Sequence, residues 1–324
     1  MLLGGLSAER EISVKSGTAV AKALRGLGHR VTTVPVGRDL AARLTRLRPD
    51  VAFNGLHGRY GEDGAVQGLL EILGIPYTGP GILTSALAMD KTMAKTVWRS
   101  QGLATPRWTV VDPSVRRLPK LPVAFPLVVK PNSEGSSVGV SIVRRRSQLA
   151  AAVKLAGRSD SRVVIEEYVP GAEVTVGILD GRALGALEVV AKGEFHSYEV
   201  KYTAGREEFH MPARLPRATT ERVLALATAA HAALGGGAYS RVDLRVDGRR
   251  PYLIELNSLP GLTALSYLPR IAGYAGLDFP ALCQAILEHQ IGPPRFMAQM
   301  VRTAIEKELS ASGEASAGLD ALHK

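Results

Sequence analysis

Only one cysteine, Cys283, occurs among the 324 residues, so no internal disulfide braces the chain. Long apolar runs are missing too, and no stretch is hydrophobic enough to span a bilayer. The opening MLLGGLSAER lacks the charged segment, apolar stretch and small-residue cleavage site that direct secretion. These absences make the expected location cytoplasmic, with no membrane partner. Zinc-finger spacing, a basic zipper and an aromatic–basic RNA signature are also missing. The formal net charge of +10 is concentrated only in the arginine run at 144–146. It reads as a solvated basic face, with no nucleic-acid partner. The lone cysteine reads as structural.

What is present is a chain with 46% hydrophobic residues, enough for two or three compact lobes. Residues 1–85 alternate β-type runs (VTTVPV, DVAFNGL) with helical patterns at 8–28 and 63–74, each closed by glycine. That pattern predicts a small α/β lobe on a parallel sheet. Residues 86–186 open with a helix over 89–100, then give the strand candidates FPLVVKPN, VSIVRR, RVVIEEYV and EVTVGIL. They predict a central, mostly antiparallel lobe. Residues 187–294 hold an alanine-rich helix at 219–234 and the run YSRVDLRVDGRRPYLIELNSLPG, two strands around a turn. The remaining tail, 295–324, starts as a helix candidate but ends in small polar residues and is expected to fray.

Three segments carry chemistry. The small residues of SEGSSVGVS let backbone N–H groups approach an anion, although most such segments are plain turns. Lys130 ends the apolar run FPLVVK beside it, and a lysine on a buried strand needs an anionic partner. In IEEYVPGAE a Pro-Gly turn follows two carboxylates, where backbone groups can read an adenine edge and Glu173 can reach ribose hydroxyls. Alone, that segment reads more simply as a charged strand end.

The strongest constellation is Arg241 and Asp243 in SRVDL with Glu255 and Asn257 in LIELN. Residues two apart on a strand share a face, so each pair projects to one side. Oxygen ligands of this kind suit Mg²⁺, and a structural salt-bridge network is the alternative. For both carboxylates to face one ion, cross-strand partners must have numbers of equal parity. The connection around DGRRP is therefore expected to hold an odd number of residues, since a two-residue Asp-Gly turn would separate Asp243 from Glu255.

Taken in order, GGLSAEREIS, LHGRYGEDG, MDK, VVKPNSEGSSVG, EEYVPGAE, SYEVKY, SRVDL and ELNSLPGLT resemble the D-alanine–D-alanine ligase family across roughly residues 4–290. The resemblance implies a mixed α/β (α+β) ATP-grasp fold, with a parallel N-terminal lobe and two antiparallel-sheet lobes that grip ATP. It implies ATP as co-substrate, two Mg²⁺ or Mn²⁺ ions, D-alanine as substrate and a homodimer. By motif, Lys91 and Lys130 resemble the ATP-phosphate lysines, and Glu166, Val169, Glu173 and Phe195 the adenosine contacts. Asp243, Glu255 and Asn257 resemble the metal ligands. Glu9 resembles the residue that holds the ammonium of the first D-alanine, with His57 near its carboxylate. Arg241 and the backbone at Gly261 resemble the groups that stabilise the tetrahedral intermediate, Ser136 and Ser266 help place substrates, and Tyr267 lies near the second substrate. Residues 192–212 would form a closing loop, with Lys201 on the phosphate and Tyr202 meeting Glu9 and Ser136.

The expected reaction converts a carboxylate to an acyl phosphate, which a second amine attacks. The alternatives are a relative joining D-alanine to D-serine or D-lactate, or an inactive ATP-binding protein. The Lys201-Tyr202 pair speaks against D-lactate, and the intact Arg241, Asp243, Glu255 and Asn257 speak against inactivity.

Overall fold

The computed structural model describes residues 1–115, 121, 124–135, 138–191 and 207–291. Strands β1 (Leu2–Gly4) and β2 (Val34–Val36) pair in parallel, and isolated bridges Leu2–Asn54 and Ala52–Tyr77 widen that platform. The predicted strand DVAFNGL contributes only these bridges. Its Asn54 side chain turns back onto the Leu56 N–H and the Gly61 carbonyl, so the segment bends instead of extending.

Helix α1 (Arg10–Gly26) buries Ser13, Ser16, Gly17, Val20, Ala21 and Leu24 along one stripe. Short helices α2 (Leu40–Leu47) and α3 (Ala65–Ile72) complete the platform. The helix expected over 89–100 is α5 (Lys91–Ser100), and a further helix, α4 (Ile82–Met89), directly precedes it. Asp90 breaks them apart because its carboxylate accepts the N–H groups of Thr92 and Met93, which caps α5 and fixes Lys91 as its first residue.

Strands β3 (Trp108–Val111), β4 (Leu127–Pro131), β5 (Ser141–Val143) and β6 (Val163–Glu167) form an antiparallel sheet in the order β3-β6-β4-β5. Helix α6 (Arg146–Ala156) covers it through Leu149 and Val153, which meet Leu127, Val129 and Ile165. Strands β7 (Ala172–Leu179), β8 (Arg182–Ala191), β9 (Glu207–His210), β10 (Tyr239–Asp247) and β11 (Arg250–Asn257) form a second antiparallel sheet, in the order β11-β10-β7-β8-β9.

The segment EVTVGIL, grouped with the central lobe by sequence, is β7 and hydrogen-bonds to β10 and β8 in this second sheet. The Pro170-Gly171 turn carries the chain there. Gly171 has φ +93°, and a Cβ on it would lie 2.1 Å from the Val246 carbonyl oxygen, so only glycine permits the close crossing. Helix α7 (Arg217–Ala233) covers one face of this sheet, where Val174, Val176, Val242 and Leu244 meet Val223 and Ala227. Trp98 of α5 is fully buried and its indole N–H donates to the Ala230 carbonyl at 3.0 Å, tying α5 to α7.

The turn between β10 and β11 departs from expectation. Asp247 pairs with Arg250, so the connection holds only Gly248 and Arg249. Leu244 pairs with Leu253 but Asp243 pairs with Glu255, which leaves Ile254 as an extra residue in a β-bulge. The bulge supplies the change of parity that the turn does not. Asp243 and Glu255 are therefore cross-strand partners, as are Arg241 and Asn257.

Helices α8 (Tyr267–Tyr274) and α9 (Phe279–Ile291) close the fold. Leu268, Leu282 and Ile286 share one core with Leu3, Val20 and Leu24, so the first and last parts of the described chain are fused. Cys283 lies in that core as a free thiol, and burial pushes it up to about 12. Among the described residues no helix is long and apolar enough to cross a membrane.

Candidate active site

A cleft of about 540 Å³ opens between the two sheets. Val128 and Ile142 line one wall and Val189 and Leu244 the other, while Lys91, Lys130, Asp243 and Glu255 supply charge. Apolar walls with a few charged groups suit a flat aromatic base joined to a polyanion.

Under the cleft lies a buried ionic unit. Lys130 on β4 reaches Glu166 on β6 at 2.6 Å, and Lys95 on α5 reaches the other oxygen of Glu166 at 2.9 Å. The anionic partner expected for Lys130 is thus a protein carboxylate. Burial works against an ionised Glu166, but Lys130 and Lys95 outweigh it and hold the carboxyl below its usual range. Burial pulls the Lys95 ammonium down to about 8, with Glu166 opposing the shift. Val169 and Glu173 lie at the β6–β7 turn, held by Arg245, which reaches the Val169 carbonyl at 3.2 Å and Glu173 at 3.5 Å.

On the site face of β10 and β11, Arg241 grips both oxygens of Asp243, at 2.8 and 2.7 Å, and the Thr175 hydroxyl donates to the same carboxylate at 2.6 Å. Glu255 lies 3.5 Å from Lys91, whose ammonium also donates to the Glu134 carbonyl at 2.7 Å. The Asn257 Oδ1 is buried without a hydrogen-bond partner. No three His, Cys, Asp or Glu side chains converge to hold a metal among the described residues. The oxygens present are two carboxylates and an amide, and an unsatisfied buried amide oxygen beside them fits a hard cation.

Glu9 precedes α1 as its N-cap residue, and its carboxylate lies where Gly58 and Gly135 make room, since added Cβ atoms would come within 2.8 and 3.2 Å of it. Glu62 accepts the Gly58 N–H at 2.6 Å. Burial, then the Glu9 charge, push the Glu62 carboxyl up to about 8. The Glu134 carboxyl is raised for the same two reasons, with Asp160 adding to them. Carboxyls crowded this way form a pocket that favours a cation.

His57 is buried and its Nε2 lies 3.2 Å from the Ser16 hydroxyl. Burial lowers it to about 4, so it is neutral near pH 7. The Ser266 hydroxyl lies 2.8 Å from where a Cβ on Gly261 would sit, and it accepts the Thr263 N–H at 3.1 Å. The Tyr267 ring lies under the Arg241 guanidinium, 5.3 Å from its centroid.

Of the residues singled out from sequence, Glu9, His57, Lys91, Lys130, Glu166, Val169, Glu173, Arg241, Asp243, Glu255, Asn257, Gly261, Ser266 and Tyr267 are described. Ser136, Phe195, Lys201, Tyr202 and the tail at 295–324 lie outside the described residues. Sequence reasoning missed Lys95, Glu62 and Thr175. Lys95 had a signal, because it follows Lys91 by one helical turn and shares its face.

Two antiparallel sheets closing on such a cleft, with lysines and carboxylates at its floor, define an ATP-grasp enzyme. Family models agree: one described as the D-ala D-ala ligase N-terminus matches residues 38–80, and one described as the D-ala D-ala ligase C-terminus matches 97–288. A D-alanine–D-alanine ligase of Anaeromyxobacter sp. (strain Fw109-5) is 50% identical over 293 residues, covering 89% of this chain and 95% of the relative. One from Geobacter sulfurreducens is 52% identical over 294 residues, covering 89% and 92%. The crystal structure of the Bacillus anthracis enzyme complexed with ATP superposes with a TM-score of 0.79 at 34% identity, covering 90% of this chain and 96% of that one. The chain belongs to the D-alanine–D-alanine ligase family, and it is an ATP-dependent ligase.

Proposed function

We propose that the chain joins two D-alanine molecules at the expense of ATP, giving D-alanyl-D-alanine, ADP and phosphate for peptidoglycan precursors. The observation that carries this reading is the shared sheet face of Arg241, Asp243, Glu255 and Asn257. Its carboxylates line the cleft, and its arginine is held by Asp243 and lies over the Tyr267 ring.

A carboxylate is a poor acyl donor, so the reaction begins when the carboxylate of the first D-alanine attacks the γ-phosphorus of ATP and releases ADP. Lys91 and Lys130 bind the phosphates, and the apolar cleft walls hold the base. Asp243, Glu255 and Asn257 would hold Mg²⁺ or Mn²⁺, which when bound supplies neutralising charge for phosphoryl transfer.

Glu9 takes the ammonium of the first D-alanine in the acidic pocket beside Glu62 and Glu134. Neutral His57 borders its carboxylate without the full charge that would hold that nucleophile back. The amine of the second D-alanine, once deprotonated, attacks the acyl phosphate carbonyl. Arg241 and the Gly261 backbone receive the developing oxyanion, a role worth on the order of 3 kcal/mol for one such donor. Collapse of the tetrahedral intermediate expels phosphate and leaves the new amide.

Tyr267 and Ser266 border the second substrate. Water must be kept from this site, because it would hydrolyse an acyl phosphate. The protein works in the cytoplasm as a homodimer. Incubation with ATP, Mg²⁺ and D-alanine, D-serine or D-lactate in turn, with products identified by mass and phosphate measured, tests the reading. A dipeptide only from D-alanine is the expected result, and no phosphate release with D-alanine overturns it.

A further inference from the structure

We propose that Lys95 is a positioning residue that keeps Lys130 available to the nucleotide by taking up half of the Glu166 carboxylate. The inference rests on reading the cleft as the ATP site. Lys95 has a fully buried side chain and does not line the cleft, so it acts only through its neighbours. One Glu166 oxygen meets Lys95 at 2.9 Å and the other meets Lys130 at 2.6 Å. Two ammonium groups thus share one carboxylate, and the unit keeps a single positive charge.

Only Lys130 and Glu166 of the three line the cleft, so that surplus charge is expressed at Lys130. Without Lys95, Glu166 would neutralise Lys130 completely, and this unit would present no net charge to a polyanion. The position of Lys95 is itself fixed from the opposite sheet. Its ammonium donates to the Thr105 hydroxyl at 2.7 Å, and that hydroxyl donates to the Leu253 carbonyl of β11 at 2.9 Å. Trp108 completes the enclosure, its ring centroid 5.6 Å from the ammonium. One buried side chain therefore links β6 to β11 beneath the cleft and sets the charge of this unit.

The charge count makes the test a restoration experiment. Lys95→Met should weaken binding of Mg-ATP, measured by calorimetry, by about tenfold, the scale for one unit charge near a partly hydrated polyanion. The KM for D-alanine should move less than about twofold, because Lys95 touches no part of the amino-acid pocket. Adding Glu166→Gln to Lys95→Met returns the unit to one positive charge and should bring ATP affinity back to within about threefold of the parent.

A purely structural role predicts the opposite, since a second buried substitution would deepen the loss. Unchanged ATP binding in Lys95→Met, or a double variant no better than the single one, overturns the proposal. If Lys95→Met does not fold, Lys95→Gln, which is neutral and can still hydrogen-bond the Thr105 hydroxyl, takes its place in both the single and the double variant. A tenfold or greater loss in the double variant then refutes the idea. Failure of the parent protein to bind ATP would instead reject the reading of the cleft.

Discussion

Glu62→Gln isolates the electrostatic cost of the acidic pocket around Glu9. The Glu62 carboxyl is raised from its ordinary value of 4.5 to about 8, first by burial and then by the Glu9 charge. A carboxyl with a raised folded-state pKa favours folding most below its unfolded value, and that advantage is lost as pH rises toward the folded value. Stability of the parent should therefore fall between about pH 4.5 and pH 8. At about 1.4 kcal/mol for each tenfold change in proton affinity, the ceiling is about 5 kcal/mol. Glu62 keeps partial contact with solvent, and screening there brings the expected effect to about 2 kcal/mol.

Glutamine resembles the protonated carboxyl and can still accept the Gly58 N–H, so the loop should keep its shape. Thermal melts of the ligand-free protein should show parent and variant within a degree or so near pH 4.5, and the variant ahead by about 5 °C near pH 8. A difference of equal size at both pH values would refute the reasoning, because it would show a packing effect without a titrating group. The KM for the first D-alanine should rise in the variant only above about pH 8, where the Glu62 carboxyl of the parent is ionised and adds negative charge around the ammonium.

Glu255→Gln should reduce turnover by about a hundredfold or more at saturating Mg²⁺ while circular dichroism stays native, because one cation-binding charge is removed; near-normal kcat would refute the metal assignment. Lys130→Ala should raise the ATP KM by about ten- to a hundredfold through loss of a charge-assisted contact, and an unchanged KM would refute its phosphate role. Gly171→Ala should lower the melting temperature and raise the ATP KM together, since its Cβ would collide with the Val246 carbonyl at 2.1 Å and push β7 from β10; a silent variant would show that the crossing has slack. Thr175→Val should destabilise the fold by about 1–3 kcal/mol, because it removes the hydroxyl that donates to Asp243, and urea denaturation would detect it.

Much of the site was legible because strand periodicity is short-range. Arg241 with Asp243 and Glu255 with Asn257 each share a face by spacing alone, and Lys130 at the end of FPLVVK announced a buried cation. What escaped depended on long-range pairing. EVTVGIL has the same apolar pattern whether it joins β6 or β10, and only the Gly171 crossing decides between them. Ile254 looks like any apolar strand residue, yet it is the bulge that makes Asp243 and Glu255 opposite numbers. Lys95 read as one more helix lysine because its partner Glu166 lies on a distant strand. Glu62 sits in a loop, where no periodicity marks a half-buried carboxyl.

The bulge at Ile254 also separates two tasks that a hairpin ordinarily combines. Between it and the tip, β10 and β11 pair in one register from Leu244–Leu253 to Asp247–Arg250; beyond it, the face that carries Arg241, Asp243, Glu255 and Asn257 follows another. Strand β10 is held independently by its pairing with β7 from Tyr239 to Val246. The exposed Gly248-Arg249 tip is consequently insulated from the chemistry. Extra residues grafted there would lengthen a loop in solvent without rotating a ligand out of place, which makes the tip a natural attachment point for a fluorophore or an affinity handle.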